Sequence, residues 1–521
     1  MQRHRLLLLS VVCGVTASAH AATVSPISVE GGQITGVPDG SLTVYKGIPF
    51  AAPPVGPLRW KPPQPVIPWQ GALAADHFAP ACLQTGVSMP GEPTAPTSES
   101  CLFLNVWVPP HAATTKLPVL VWIHGGGYTN GATSLPLYAG DKLAARGLIV
   151  VTVAYRLGPL GFLAHPELTK ESPTHSSGNY GLLDQIAALR WVQHNIAAFG
   201  GDPSQVTIAG QSAGAASVSL LLASPRAAGL FQRAIAQSGG VFEPPQLAPR
   251  YQLAIAEQDG SQYGRALGSE TLAALRKVPA ERLLGATAGT VSHPVLDPDV
   301  LPETPYDAYV AGRVHPIPVL LGSNADEARS LTDVTKITAK NFADELTQAW
   351  GSLPPPLLSA YPFTTDADAR TARLHLERDL RFGWDMWAWA RLASKRSTNV
   401  FYYRFTMSPP FPSNGPRADW GPSHFADLWY MFDHLDQEPW KLRPSDRTLA
   451  RTMAGYWANF VKTGDPNGAG LPRWPTFSPS ATGDGKVLWL GDPVKVGPVA
   501  DLKPLQIFDA VYTSVRSSDK H

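Results

Sequence analysis

Gly210-Gln211-Ser212-Ala213-Gly214 lies between the β-branched run Gln205-Val206-Thr207-Ile208-Ala209 and a small-residue and leucine stretch, Ala215 to Ala223. The order is strand, turn, helix. In a G-x-S-x-G turn of this kind the glycines remove Cβ atoms that would clash in the bend, and the serine is held in strained backbone with its hydroxyl exposed at the carboxyl end of a sheet. A chain with 46 Gly can match such a pattern by chance. The flanking strand and helix signals are what give this match its weight.

A nucleophilic serine needs donors for the oxyanion that forms when it attacks. They are expected in His124-Gly125-Gly126-Gly127-Tyr128, which follows Leu117-Pro118-Val119-Leu120-Val121-Trp122-Ile123. That continuous apolar run reads as a strand buried on both faces of a parallel sheet. The backbone N–H groups of Gly126 and Gly127, with that of Ala213 after the serine, form the candidate oxyanion hole. A further buried strand is expected over Gly147 to Ala154, and a helix over Tyr180 to Phe199 with Leu183, Ile186, Leu189, Trp191 and Ile196 on its apolar side. Strand and helix alternate from about 117 to 240, which assembles most simply as a parallel sheet with helices on both faces.

Other segments extend the pattern over almost the whole chain. They are Val44-Tyr45-Lys46-Gly47-Ile48-Pro49-Phe50-Ala51, Leu58-Arg59-Trp60, Ser98-Glu99-Ser100-Cys101-Leu102-Phe103-Leu104-Asn105-Val106, Asn179-Tyr180-Gly181-Leu182-Leu183-Asp184-Gln185 and Phe199-Gly200-Gly201-Asp202-Pro203. Tyr456-Trp457-Ala458-Asn459-Phe460 and Gly464-Asp465-Pro466-Asn467 follow near the end. With these motifs the chain resembles the type B carboxylesterases of the α/β-hydrolase superfamily, a group that includes cholinesterases, para-nitrobenzyl esterases and some lipases. The resemblance implies an α/β-hydrolase fold: a central, mostly parallel sheet flanked by helices, with a helical cap region expected in 245 to 315 and 335 to 395. It also implies one domain over residues 22–521.

It further implies the rest of a triad. The acid motif reads Leu320-Leu321-Gly322-Ser323-Asn324-Ala325-Asp326-Glu327, with Glu327 as the acid, and the base motif reads Gly421-Pro422-Ser423-His424-Phe425-Ala426-Asp427-Leu428, with His424 as the base. The chain order Ser212, Glu327, His424 is that of α/β-hydrolases. From the residues alone, both Asp326 and Glu327 fall just past the predicted strand Pro318-Val319-Leu320-Leu321, where open α/β sheets place catalysis. Among the 14 His, His424 follows the predicted strand Val400–Phe405 by a long loop, with His434 and His315 as rivals. The resemblance decides for Glu327 and His424.

Departures from the family pattern stand close to the serine. Gln211 replaces the usual glutamate, keeping hydrogen-bonding capacity but removing a negative charge and with it attraction for cationic substrates. Ala215 replaces a common glycine and is expected to crowd the elbow helix. Ser-Glu-Ser-Cys stands where Ser-Glu-Asp-Cys is usual, with Glu99 retained to pair with Arg59. Ser238 matches a family serine with a supporting role.

The 42 Lys and Arg against 41 Asp and Glu, a formal net charge of +1, lack the basic excess of a nucleic-acid binder. Arg3 and Arg5, the apolar stretch Leu6 to Val12 and Ala19-His20-Ala21 read as a secretory leader, residues 1–21, cleaved after Ala21. Its apolar run is too short for a stable membrane anchor. Export places the protein in a periplasmic or extracellular space, where Cys82 and Cys101 form an even pair. The resemblance implies their bridge; two buried thiols are the alternative. Between them Leu83 to Ser100 carries no Trp and no helical apolar stripe, which disfavours an interfacial lid and choline recognition. The run Arg381 to Trp389 reads as helix core in preference to the wall of an aromatic pocket.

The chemistry expected is acyl transfer through a covalent serine intermediate on a small-molecule ester, with no metal or organic cofactor. Amide, carbamate or thioester hydrolysis could use the same machinery. A catalytically silent binding homologue is the remaining class, against which the retained Ser212, Glu327 and His424 speak. Oligomeric state is not legible.

Overall fold

The computed structural model describes residues 24–518 apart from 88, 90, 91, 111, 113–115, 285–290 and 398. The expected leader, residues 1–21, lies outside the described residues. An eleven-stranded sheet organises the chain. Its order is Lys495–Pro498, Lys486–Leu490, Val400–Phe405, Val319–Asn324, Arg233–Gln237, Gly201–Gln211, Leu117–Ile123, Ile149–Val153, Phe103–Val108, Leu42–Pro49 and Val37–Asp39. The strands from Ile149–Val153 across to Lys486–Leu490 run parallel, and antiparallel neighbours close both edges.

Leu117–Ile123 is the strand expected, and its burial shows why it is apolar throughout. Val119, Val121 and Ile123 feed one hydrophobic core while Leu120 and Trp122 feed another on the opposite face. Successive side chains point to opposite faces, so a strand covered on both sides has no polar positions to spare. The same division recurs at Val319 and Leu321 against Leu320.

The expected helix over Tyr180 to Phe199 is α-helical over Tyr180–Asn195 and tightens to a 3₁₀ turn over Ile196–Phe199, ended by Gly200 at φ 83°. It is not one-sided: Asp184, Gln185 and Asn195 are buried with the apolar residues, while Leu183 is only half-buried. Asp184 is buried because its carboxylate accepts Nε and Nη2 of Arg156, each at 2.8 Å.

The segments expected to form a cap contain helices, among them Leu253–Ala266, Phe342–Trp350 and Asp366–Arg378. One boundary is corrected. Trp384–Ser394 packs directly on the strands Val319–Asn324 and Val400–Phe405, so it belongs to the layer flanking the sheet. Trp384, Trp387 and Trp389 are fully buried there, as the core reading expects. Leu272, Leu275 and Leu283 make a smaller core of their own against Trp60, Leu160 and Tyr180.

Cys82 and Cys101 are bridged, with Cα atoms 4.9 Å apart. Arg59 and Glu99 meet beside the bridge in a two-pronged ion pair at 2.7 and 2.6 Å. No helix among the described residues is long and apolar enough to cross a membrane.

Candidate active site

The strand before the serine is longer than its β-branched run, Gly201–Gln211, and the helix after it starts at once, Ala213–Ala223. Between them Ser212 takes φ 57° and ψ −126°, a conformation that an L-residue holds only when its surroundings impose it. The restraints are visible. Ser212 N–H donates to the Gln237 carbonyl of the neighbouring strand at 2.9 Å, and the Ser212 carbonyl accepts from Ala216 N–H at 2.9 Å. A Cβ on Gly214 would fall 2.0 Å from the Ile123 carbonyl oxygen, and one on Gly210 would fall 2.4 Å from the Gly214 carbonyl carbon. Both elbow glycines are therefore demanded by close backbone approach.

Strand register sets the next neighbour. Gly210 pairs with Ile123, so the loop His124–Tyr128 and the serine leave adjacent strands at the same end of the sheet. Gly125 is the tightest point, since a Cβ there would meet the Gln211 carbonyl oxygen at 2.6 Å and the Ser212 Cβ at 3.0 Å. The Gly126 carbonyl is turned into the following bend, accepting from Thr129 and Asn130 N–H at 3.0 Å each. Among the described residues no acceptor takes the N–H of Gly126 or Gly127. Ala213 is the first residue of its helix, so its N–H has no carbonyl within that helix to bond. These are the three positions expected to supply donors.

His124 anchors this loop from beneath. It is buried, stacks on Tyr155 with centroids 4.5 Å apart, and directs Nδ1 at the Gly125 carbonyl at 2.9 Å. Burial pushes its pKa down from 6.5 to about 4, only partly opposed by that hydrogen bond, so the ring is neutral at pH 7 and donates from Nδ1.

Glu327 and His424 are 97 positions apart and meet through Nδ1 and Oε2 at 2.7 Å, both fully buried. The other carboxylate oxygen of Glu327 accepts from Asn324 N–H at 2.5 Å. Asp326, the rival acid, turns outward to Arg329 at 3.2 Å. His434, the rival base, has both nitrogens engaged, by the Leu137 carbonyl and Asp141, at 3.0 and 2.8 Å. His315 is exposed in the loop before the strand Val319–Asn324, whereas Glu327 follows that strand. Ser212 alone of the three candidates remains partly accessible.

Gln211 ties the turn at Ser212 to the candidate base. Its Nε2 donates to the backbone carbonyl of His424 at 2.8 Å, while its buried Oε1 has no hydrogen-bond partner among the described residues. Ala215 is accommodated because Gly239 opposite has no side chain; a Cβ there would lie 3.1 Å from the Ala215 methyl. Ser238 is wholly buried, at φ 54°, and donates its N–H to the Gly322 carbonyl at 2.9 Å.

A buried polar layer packs beside the candidate base and was not singled out in the sequence. Asp427 accepts from Gln237 Nε2 at 2.7 Å, Tyr403 hydroxyl at 2.9 Å and Asn324 Nδ2 at 3.1 Å, while Trp457 donates to Gln237 Oε1 at 3.0 Å. Asn324 also donates to the Ser423 carbonyl at 2.6 Å. Burial pushes the Asp427 carboxyl above its ordinary range despite these donors. The signal was present in the base motif, three positions after His424, but an acidic residue in a loop does not announce partners from three other segments. No group of three or more His, Cys, Asp or Glu among the described residues is arranged to hold a metal ion.

Residues 23–496 match the model of the carboxylesterase family. The chain is 37% identical to fumonisin B1 esterase of Sphingopyxis macrogoltabida over 492 residues, which cover 91% of this chain and 88% of that protein. It is 35% identical to para-nitrobenzyl esterase of Bacillus subtilis (strain 168), covering 87% of this chain and 92% of the relative. Among solved structures, a thermophilic para-nitrobenzyl esterase superposes with a TM-score of 0.81 at 32% identity, over 93% of this chain and 99% of that one.

Proposed function

The chain belongs to the carboxylesterase family and is a carboxylic ester hydrolase, and we propose that it works through an acyl-enzyme formed on Ser212, with His424 as base and Glu327 as acid. The observation that carries the assignment is the buried 2.7 Å bond between Glu327 and His424, joined through Gln211 to a serine held at positive φ. In this reading His424 Nε2 takes the hydroxyl proton as Ser212 Oγ attacks the ester carbonyl. The C–O bond of the tetrahedral adduct then breaks, and the alcohol leaves with that proton. Water, deprotonated by the same nitrogen, attacks the acyl-enzyme and releases the acid and the free serine. Glu327 fixes the tautomer that presents Nε2 as acceptor and stabilises the imidazolium without taking the proton.

Gly126, Gly127 and Ala213 are proposed to hold the oxyanion, each donor contributing about 3 kcal/mol at the transition state. The substrate is proposed to be a small to medium carboxylic ester, by similarity to esterases whose names specify fumonisin B1 and para-nitrobenzyl esters. A single catalytic unit over 22–521 is supported by one sheet that draws strands from Val37 to Pro498. Secretion to a periplasmic or extracellular space, after removal of residues 1–21, is supported by the leader-like sequence and by the disulfide.

The test is hydrolysis of para-nitrophenyl acetate, butyrate and octanoate by the mature protein and by Ser212→Ala, with and without a serine-directed organophosphate. A burst of nitrophenol that both the substitution and the inhibitor abolish is expected. A folded protein with no turnover and no covalent adduct would overturn the acyl-enzyme reading.

A further inference from the structure

Phe382 lies flat on His424, with ring centroids 4.3 Å apart and planes 18° from parallel. It is carried on a π-helical turn, Asp379–Gly383, inserted between the helices Asp366–Arg378 and Trp384–Ser394. A wide turn of this kind interrupts regular helical bonding and tends to mark functional sites. Here its shape is held from several sides. Asp379 accepts from Arg378 Nε and Nη2 at 2.8 and 2.7 Å and from the Tyr361 hydroxyl at 2.6 Å. Arg378 also reaches Asp501 at 2.9 Å. Gly383 leaves room for the Asp379 carboxylate, since a Cβ there would fall 2.2 Å from Oδ1. The following helix touches the nucleophile's backing through Met386, whose sulfur lies 3.4 Å from Gly239 N.

The surroundings of the imidazole leave its face to Phe382. Glu327 is at the Nδ1 edge, Phe425 meets the imidazole edge-on with centroids 4.8 Å apart, and Gln211, which is neutral, bonds only the backbone of His424. Asp427 is engaged by Gln237, Asn324 and Tyr403. Asp326 turns to Arg329. Arg381, next to Phe382, bonds Glu377 at 2.8 Å and covers Trp350 at 4.8 Å, while Arg378 and Asp379 neutralise each other. The imidazole becomes a cation each time Nε2 holds a proton in the proposed cycle. A benzene ring carries negative charge density on its face and attracts a cation within about 6 Å of its centroid.

We propose that Phe382 is a positioning residue that fixes the plane of His424 and, through its face, stabilises the imidazolium formed in both halves of the acyl-enzyme cycle. This rests on His424 being the base. The ring face, beyond its bulk, is what the contact requires.

The test compares wild type with Phe382→Leu, Phe382→Tyr and Phe382→pentafluorophenylalanine on para-nitrophenyl butyrate, from acid to neutral pH. The fluorinated ring keeps the shape and reverses the charge of the face, so it separates electrostatics from packing. Phe382→Leu and the fluorinated variant are expected to lose about threefold to thirtyfold in kcat. They are also expected to move the acid limb of kcat/KM to lower pH, because the free imidazolium loses its partner. Phe382→Tyr is expected to retain both. Unchanged acid limbs in Phe382→Leu and the fluorinated variant, with thermal unfolding like wild type, would overturn the proposal while leaving the esterase assignment intact. A wild type without turnover or organophosphate adduct would instead remove the assignment on which the proposal stands.

Discussion

Gln211 donates its side-chain N–H to the backbone carbonyl of His424 at 2.8 Å, so the residue before the candidate nucleophile is bound to the candidate base by a bond an ionised carboxylate cannot form. The loss of charge expected from the sequence is thus accompanied by a gained donor, at a position with no solvent exposure.

Restoring the glutamate should be costly here. In Gln211→Glu an ionised oxygen would face the His424 carbonyl oxygen in a buried site, and a loss of about 1–3 kcal/mol in unfolding free energy is expected. Burial beside an acceptor raises the folded-state pKa of the new carboxyl above its unfolded value. The variant should therefore approach wild-type stability at low pH and lose stability as pH rises through that folded-state pKa. Urea unfolding across pH checks the sign.

Asp326 and Glu327 should separate sharply. Asp326→Asn removes a partly exposed partner of Arg329 and should leave kcat within about a factor of two. Glu327→Gln should reduce kcat by about 10⁴, because an amide at Nδ1 no longer fixes the productive tautomer. Steady-state kinetics beside circular dichroism distinguish loss of chemistry from loss of fold.

His124 should make the oxyanion loop acid-sensitive. Its folded pKa is held down at about 4 against 6.5, so the stability it contributes is present above pH 6.5 and is lost as pH falls toward 4. His124→Asn cannot take up that proton and should show a shallower decline of unfolding free energy over the same interval. Equal slopes in the two proteins would count against this account.

The bridge between Cys82 and Cys101, at a sequence separation of 19, should contribute about 3 kcal/mol by constraining the unfolded chain. Cys82→Ala with Cys101→Ala should lower the urea midpoint accordingly without changing the para-nitrophenyl ester profile, since the bridge ties a segment separate from those that carry Ser212, Glu327 and His424.

The central fold was legible because buried parallel strands have no polar alternation and leave runs such as Leu117–Ile123, recovered at the same boundaries. Ser212 was legible for a similar reason, as its glycines answer a steric demand that few sequences meet. The candidate acid was not separable from residues alone: Asp326 and Glu327 differ by one position, and only the turn after Asn324 decides which carboxylate points inward. The same limit hid Phe382. Arg381 to Trp389 reads as core, and most of it is core, but a π-helical turn shifts the phase of the helix and sends one ring to His424. Periodicity arguments assume a fixed angle per residue and cannot see such a shift.

Gln211 and His424 are 213 positions apart in sequence, and Glu327 comes from a third segment between them. Loop-closure entropy makes contacts of such separation late arrivals in folding. Hydrolytic activity is accordingly a property of the finished sheet alone. A nascent chain, a chain in transit across a membrane, or a fragment lacking the strand Val400–Phe405 would carry the candidate nucleophile without the means to use it. The first appearance of turnover in a refolding experiment should then time the docking of that strand, making the enzyme its own clock for assembly.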